Sequence, residues 1–301
     1  CPCCGCCCMN AMTPFDDNAA NAAGASLETR DFQDIAAILM SEARIALLPQ
    51  KATLVRSRLA RRLRDRGVMS YRAYIDLVRR DAAERRIMVE ALTTNHTHFF
   101  REGHHFDHLR DHVMPQLRIA PPRRPIRIWS SASSSGEEVY SIAMCLLGRD
   151  SREAQWLSRA DVRLLATDIS SEMVEATRTA VYSEQAAQAV PEPYRKLWTR
   201  TSGGKVSMGE EARSLVSALE LNLFDRWPMQ RPFDVIFCRN VMIYFDEEAK
   251  AELESRMIAQ LVPGGHLYIG HSERLVGPER DFMIPCGQTI YRKPLDGEVR
   301  G

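Results

Sequence analysis

Ile126-Arg-Ile-Trp-Ser-Ser-Ala-Ser-Ser-Ser-Gly-Glu-Glu-Val-Tyr140 is a short apolar strand that runs through a turn of small residues straight into a helix. That is the layout of a cofactor cradle at the end of a strand. A dinucleotide site would place G-x-G-x-x-G here, so that bare backbone N–H groups close on two phosphates. Only Gly136 is present, and Glu137 and Glu138 stand where the phosphates would lie. The ligand expected at such a turn carries a cation. S-adenosylmethionine fits, because its methionyl ammonium needs a carboxylate partner and it has no phosphate. A second reading needs no ligand: two acids in the first turn of a helix complement its dipole.

Downstream the pattern repeats. Val162-Arg-Leu-Leu-Ala166 reads as a second strand closing at Thr167-Asp168, with a helix from about Ser171. Phe233-Asp-Val-Ile-Phe-Cys238 is a third, closing at Arg239-Asn240. A helix from about Asp246 to Leu261 is expected to stop at Pro263-Gly-Gly265, before strands at His266–Gly270 and Thr289–Arg292. Strands alternating with helices predict a doubly wound, mainly parallel α/β sheet. Ligands of such sheets lie at the carboxyl ends of the strands. Here those ends are Ser130 to Glu138, Asp168, Arg239-Asn240 and Gly270 to Ser272, so distant parts of the chain converge on one crevice. Asp168 is placed to accept hydrogen bonds from both ribose hydroxyls of an adenosine, or to cap the helix that follows. Asn222-Leu223 offers an adenine ring an amide and an apolar contact, or ends a strand in a turn.

Upstream, Phe32, Ile35 and Leu39 recur at helical spacing, and Tyr71, Tyr74, Ile75 and Val78 do so after a Ser70 N-cap. Three or four short helices therefore span about 31–92. Between them, Lys51 to Arg66 holds seven basic residues against the single acid Asp65, with Leu59 and Leu63 on one face. Such a face is either merely solvated or a docking surface for an acidic helical partner.

At 301 residues, 45% hydrophobic and 26% charged, the chain is long enough for one large domain and a small one. A net charge of +1 excludes a globally electrostatic partner such as nucleic acid, and no apolar run is long enough to enter a membrane. Six of the nine cysteines lie in Cys1–Cys8, ahead of Met9-Asn10, which reads as a natural start. That cluster is read as a tag remnant, and residues 13–28 as a disordered lead-in. Cys145, Cys238 and Cys286 stand singly in apolar stretches and read as buried hydrophobes of a reducing, cytoplasmic compartment. Six of the eight histidines fall between 96 and 112. His104 and His108 have i, i+4 spacing, but no adjoining Glu or further ligand cluster supports a metal, and none is expected.

Taken together these stretches resemble one family, the chemotaxis receptor methyltransferases of bacteria, the CheR type. The matching motifs are Thr93-Thr-Asn-x-Thr-x-Phe-Phe-Arg-Glu102, Ile126 to Ser130, Gly136-Glu-Glu-x-Tyr-Ser141, Ala166-Thr-Asp-Ile169, Asn222-Leu223, Phe237-Cys-Arg-Asn-Val-Met-Ile-Tyr-Phe245, Pro263-Gly-Gly265 and Gly270-His-Ser-Glu273. They occur in the family's order over roughly 31–294. Val139 replaces the family's usual Pro, and Ser133 stands where Cys is common.

The resemblance implies a Rossmann-like S-adenosylmethionine-dependent methyltransferase sheet with a small all-α N-terminal domain and a small antiparallel β insertion. The implied boundaries are 29–92 for the helical docking domain, 93–125 for a linker helix and cofactor-covering segment, 126–294 for the methyltransferase domain with its insertion at about 191–219, and 295–301 for a tail. Cofactor contacts are implied at Asn95, Thr97, Arg101, Glu138, Asp168, Asn222, Leu223, Arg239 and Asn240, and orientation of the reacting groups at Arg101 and Tyr244. Arg56, Arg58, Arg61, Arg62 and Arg64 become a docking surface for the cytoplasmic helical bundle of a chemoreceptor. The implied activity is protein-glutamate O-methylation for chemosensory adaptation, with S-adenosylhomocysteine as the other product; a non-catalytic adenosylmethionine-binding scaffold is the alternative. Some members also tether to a pentapeptide at the receptor's C-terminus through the β insertion. The hairpin Thr199–Gly209, turning at Gly203-Gly204, is shorter than theirs and lacks their glycine-bracketed His loop, so no tether is expected.

Overall fold

A computed structural model describes residues 25–119 and 124–298. The Cys1–Cys8 cluster, most of the lead-in, Pro121-Pro122-Arg123 and residues 299–301 lie outside the described residues. Among the described residues the chain divides into two compact units, one running up to Ile38 and over Leu48–Leu92, the other over Leu39–Leu47 and from Thr93 onward.

In the first unit, the helices Ala52–Asp65, Tyr71–Arg80 and Ala82–Leu92 follow from apolar residues at helical spacing, and each buries its stripe. Val55, Leu59 and Leu63 of the first helix, Tyr74, Ile75 and Val78 of the second, and Phe32 and Ile35 upstream are all buried. Each fully buried side chain contributes roughly 1.5–3 kcal/mol. Ser70 starts the middle helix by accepting the Ala73 N–H at 3.2 Å. The arginines of the first helix do not all share one fate. Arg56 and Arg64 are exposed and the Arg61 side chain is 82% exposed. Arg62 departs from the expected docking surface: its Nε and Nη2 donate to Glu84 Oε1 and Oε2 at 3.0 and 2.7 Å. Glu84 is buried, and Tyr74 Oη donates to it at 2.8 Å, so Arg62 is the counter-charge of a buried carboxylate.

The second unit is built on ten strands: β1 (Ile126–Ser131), β2 (Val162–Asp168), β3 (Val181–Ser183), β4 (Thr199–Ser202), β5 (Lys205–Met208), β6 (Val216–Glu220), β7 (Phe233–Cys238), β8 (Leu261–Ile269), β9 (Ile284–Gly287) and β10 (Ile290–Arg292). Seven form one sheet in the order β6-β2-β1-β7-β8-β10-β9. The first five run parallel, β10 returns antiparallel to β8, and β9 pairs antiparallel with β10. The central strands are near-continuous apolar runs because both faces are covered, and β7 is buried at every position. Side-chain alternation sends Ile128, Val235, Phe237 and Tyr268 to one face, against the helix Glu137–Leu147. Trp129, Ile236 and Leu267 go to the other, against the helix Glu247–Ala259, and Phe233 joins them because β7 is irregular between Phe233 and Val235.

Two boundaries move. The helix ends at Ala259, and β8 already begins at Leu261, carrying Pro263-Gly-Gly265 inside the strand rather than in the expected stop. A register shift between Phe233 and Val235 of β7 absorbs the irregularity. The three-stranded antiparallel sheet β3-β5-β4 draws on Val181–Ser183, upstream of the expected 191–219, whereas Val216–Glu220 pairs in the main sheet. Its hairpin turns at Gly203 and Gly204, both at positive φ, as a two-residue turn between twisted strands requires. Cys145 and Cys238 are buried as expected, but Cys286 is exposed, because β9 is the outermost strand of its sheet. Among the described residues no helix is long and apolar enough to cross a membrane.

Candidate active site

Strand order reverses between β1, which leads to β2 on one side, and β7 on the other. A crevice opens at the carboxyl end of such a switch point. Glu138 enters it from the first turn of the helix after β1, and Arg239 from the residue after β7. They meet at 3.0 Å, Nη1 to Oε2, while Ser130 Oγ, on β1, donates to the other Glu138 oxygen at 2.7 Å. Burial pushes the Glu138 carboxyl above the usual glutamate range, against the pull of Arg239. Glu137, its neighbour, is turned away and accepts Ser135 Oγ at 2.7 Å, so one acid of the pair, not two, faces the crevice.

Arg239, with a side chain only 1% exposed, is shared. Its Nη2 reaches Glu102 Oε2 at 3.2 Å and donates to the Arg101 carbonyl, and the guanidinium lies over the Phe106 ring. Glu102 in turn accepts Asn240 Nδ2 at 3.2 Å and contacts His271 Nδ1 at 2.9 Å. Burial works against its ionisation, but the Arg239 charge and the His271 and Asn240 contacts outweigh it and bring the carboxyl down to about 2. Glu273 closes the network, accepting the N–H groups of Gly270 and Asn240 at 2.6 and 3.0 Å. A Cβ on Gly270 would fall 2.5 Å from Asn240 Nδ2, so only glycine fits this approach.

Asp168 ends β2 with its carboxylate accepting Ser134 N–H at 2.8 Å and Ser170 N–H at 3.0 Å. It thus holds the cradle turn to the end of its own strand. The backbone around the crevice is strained: Phe100, Glu102, Ala132, Ser134 and Asn240 all have positive φ. Such conformations cost about 1–3 kcal/mol each and collect at functional sites. Gly136, φ +96°, lies so close to Thr177 and Tyr182 that a Cβ would meet them at 2.8–3.0 Å.

The remaining expected residues stand outside this network. Asn222 lies past the end of β6, with Oδ1 accepting Phe224 N–H at 3.0 Å and Nδ2 donating to the Glu42 carbonyl at 2.7 Å. Leu223 is buried beside it. Arg101 Nη1 donates to the His96 carbonyl at 3.1 Å. Asn95 and Thr97 are half-buried in the same segment, and Tyr244 sits in a 3₁₀ turn, its carbonyl accepting Ala46 N–H at 2.8 Å. Among the described residues no hydrogen bond joins the side chains of Asn95, Thr97 or Tyr244 to Arg239. Sequence reasoning misses Ser130, Glu102 and Glu273 as site residues. The signal was present: both acids close quoted motifs, and an unpaired acid beside a motif arginine asks for a partner.

Residues 95–291 match the family described as CheR methyltransferase, SAM binding domain, and residues 30–93 match its all-alpha domain. The chain belongs to the CheR methyltransferase family. It is 43% identical over 267 residues to a probable chemotaxis protein methyltransferase of Rhizobium etli, covering 86% of this chain and 98% of that protein. It is 40% identical to chemotaxis protein methyltransferase 2 of Pseudomonas aeruginosa, covering 87% and 92%, and 36% identical to the chemotaxis protein methyltransferase of Escherichia coli, covering 90% and 93%. Every crevice residue lies inside the span that matches the CheR SAM-binding domain, and Arg56 to Arg64 inside the span of the CheR all-alpha domain.

Proposed function

We propose that this CheR-family chain transfers the methyl group of S-adenosylmethionine to glutamate side chains on the cytoplasmic helices of a chemoreceptor, forming glutamyl methyl esters. The observation that carries the reading is the buried Glu138 at the switch point, a carboxylate that burial holds above its usual range and that a second cation would stabilise. The chain's residues fit the cofactor: Glu138 for the methionyl ammonium, Asp168 for the ribose hydroxyls, Asn222 and Leu223 for the adenine. Asn95, Thr97, Arg101, Arg239 and Asn240 complete the set. When bound, the cofactor supplies an electrophilic methyl on a sulfonium.

The acceptor glutamate, with an ordinary pKa of about 4.3, is ionised at neutral pH, so no general base is required of the protein. Arg101 and Tyr244 orient the incoming carboxylate, and the segment around Phe99 and Phe100 excludes water. Bringing an anionic nucleophile to a cationic leaving group cancels charge, so a dry site favours the transition state, and alignment supplies the rest. The exposed Arg56, Arg61 and Arg64, with the half-buried Arg58, recognise the acidic receptor helices on the cytoplasmic side, and no pentapeptide tether is invoked. The test is incubation of receptor-enriched membranes with methyl-labelled cofactor. Alkali-labile label on the receptor supports the reading, and label that survives alkali, or none, contradicts it.

A further inference from the structure

We propose that His108, His266 and Cys286 form a binding site for one divalent transition-metal ion of the zinc class. The three come from separate elements: the last residue of the helix Gly103–His108, strand β8 and strand β9. Their ligand atoms all lie within 4.8 Å of one another. Three points so placed lie within about 2.8 Å of a common centre, and metal bonds of about 2.0–2.3 Å to nitrogen and sulfur are reached by small side-chain rotations. Two imidazoles and one thiolate are a borderline-soft donor set that selects zinc or its neighbours over calcium or magnesium.

The surroundings suit such a site. His108 Nδ1 is 2.8 Å from the hydroxyl of Tyr268, a polar contact that orients the ring. Tyr268 is itself held rigid, stacked 4.3 Å from Phe237. The His266 ring makes no hydrogen bond among the described residues, and the Cys286 thiol has only a 3.7 Å contact to the Ile290 carbonyl. Coordination replaces the Cys286 S–H bond with a metal–sulfur bond and releases one proton to solvent. Directly after His108 the helix turns π-helical over Leu109–Val113, an irregularity that recurs at functional positions. It brings the His112 ring centre to 5.0 Å from that of His108, so the fourth position falls to His112 or to water. The site shares no residue with the crevice. It would clamp the helix that follows Arg101 and Glu102 to the antiparallel edge of the sheet.

Metal-stripped full-length protein is titrated with Co²⁺ and with Zn²⁺, beside Cys286→Ser and His266→Gln. The Cys1–Cys8 thiols are common to all three and serve as an internal background. The wild type is expected to bind one equivalent more than either variant, or to bind that equivalent at least tenfold tighter. It should also show a stronger thiolate-to-cobalt charge-transfer band than Cys286→Ser. Cys286→Ser, at an exposed position, keeps the comparison sound should His266→Gln disturb packing. Equal stoichiometry and affinity in all three proteins, or no binding in any, overturns the site.

Discussion

Arg239 Nη1 and Glu138 Oε2 meet at 3.0 Å across the point where the sheet reverses its strand order. The pair joins β7 to the helix after β1, and both residues are almost entirely inside the protein. Removing one charge of a buried pair strands the other. Arg239→Leu leaves Glu102 and Glu138 without their shared cation and is expected to cost about 3–5 kcal/mol in urea unfolding. A loss below 1 kcal/mol would show that the network does not hold the crevice together.

Glu138→Gln is a milder change with a sharper readout. The amide keeps the size of the side chain and an acceptor for Ser130, and Glu102 remains beside Arg239 as its counter-charge. Stability should change little, while cofactor affinity in calorimetry falls roughly tenfold to a hundredfold, the worth of one charged hydrogen bond. The pH dependence has the same sign. A cationic ligand needs Glu138 ionised, so affinity should decline on acidification, beginning above the ordinary glutamate range.

Asp168 is also part of the turn, so its alanine variant would confound binding with local structure. Asp168→Asn retains one backbone acceptor and removes the charge. Cofactor affinity should again fall about tenfold to a hundredfold with an intact circular dichroism spectrum. Unchanged affinity would restrict Asp168 to holding Ser134 and Ser170.

Acid stability should report on Glu102. Its folded pKa of about 2 lies below the ordinary 4.5, so it stabilises the fold above pH 4.5 and loses that contribution as pH falls through 2. The shift corresponds to something on the order of 3 kcal/mol. Glu102→Gln should therefore lower stability at pH 7 and flatten its decline between pH 5 and 2, measured by denaturant midpoints.

Much of this was legible in the sequence. Strand ends at Asp168 and Arg239-Asn240 followed from apolar runs that stop at polar residues, and the cradle from the small-residue turn before Glu137. Arg62 was not legible as a structural residue, because its partner Glu84 lies 22 positions away and nothing local marks a buried ion pair. Pro263-Gly-Gly265 punctuates most chains, yet here pairing with β7 carries the strand through it. The approach of His266 and Cys286 to His108 likewise depends on how the edge strands fold back, which spacing along the chain does not encode.

The arginine face separates accordingly. Arg58, Arg61 and Arg64 changed together to Glu should raise KM for the receptor on the order of tenfold, weaken its salt dependence and leave cofactor affinity unchanged. Arg62→Ala should instead destabilise the protein by about 2 kcal/mol or more, because Arg66, at 3.4 Å, offsets only part of the Glu84 charge. Unaltered receptor methylation in the triple variant would mean that the face is merely solvated.

Peptide mapping of a chemoreceptor cytoplasmic fragment by mass spectrometry, after incubation with the protein and S-adenosylmethionine, locates the transferred methyl on a residue. With wild-type protein it should sit on glutamate side chains, be removed by mild alkali, and be reduced with Glu138→Gln at a cofactor concentration that saturates only the wild type. Methyl groups on lysine, arginine or backbone positions, or full activity in the Glu138→Gln protein, would contradict a carboxylate acceptor served by this crevice.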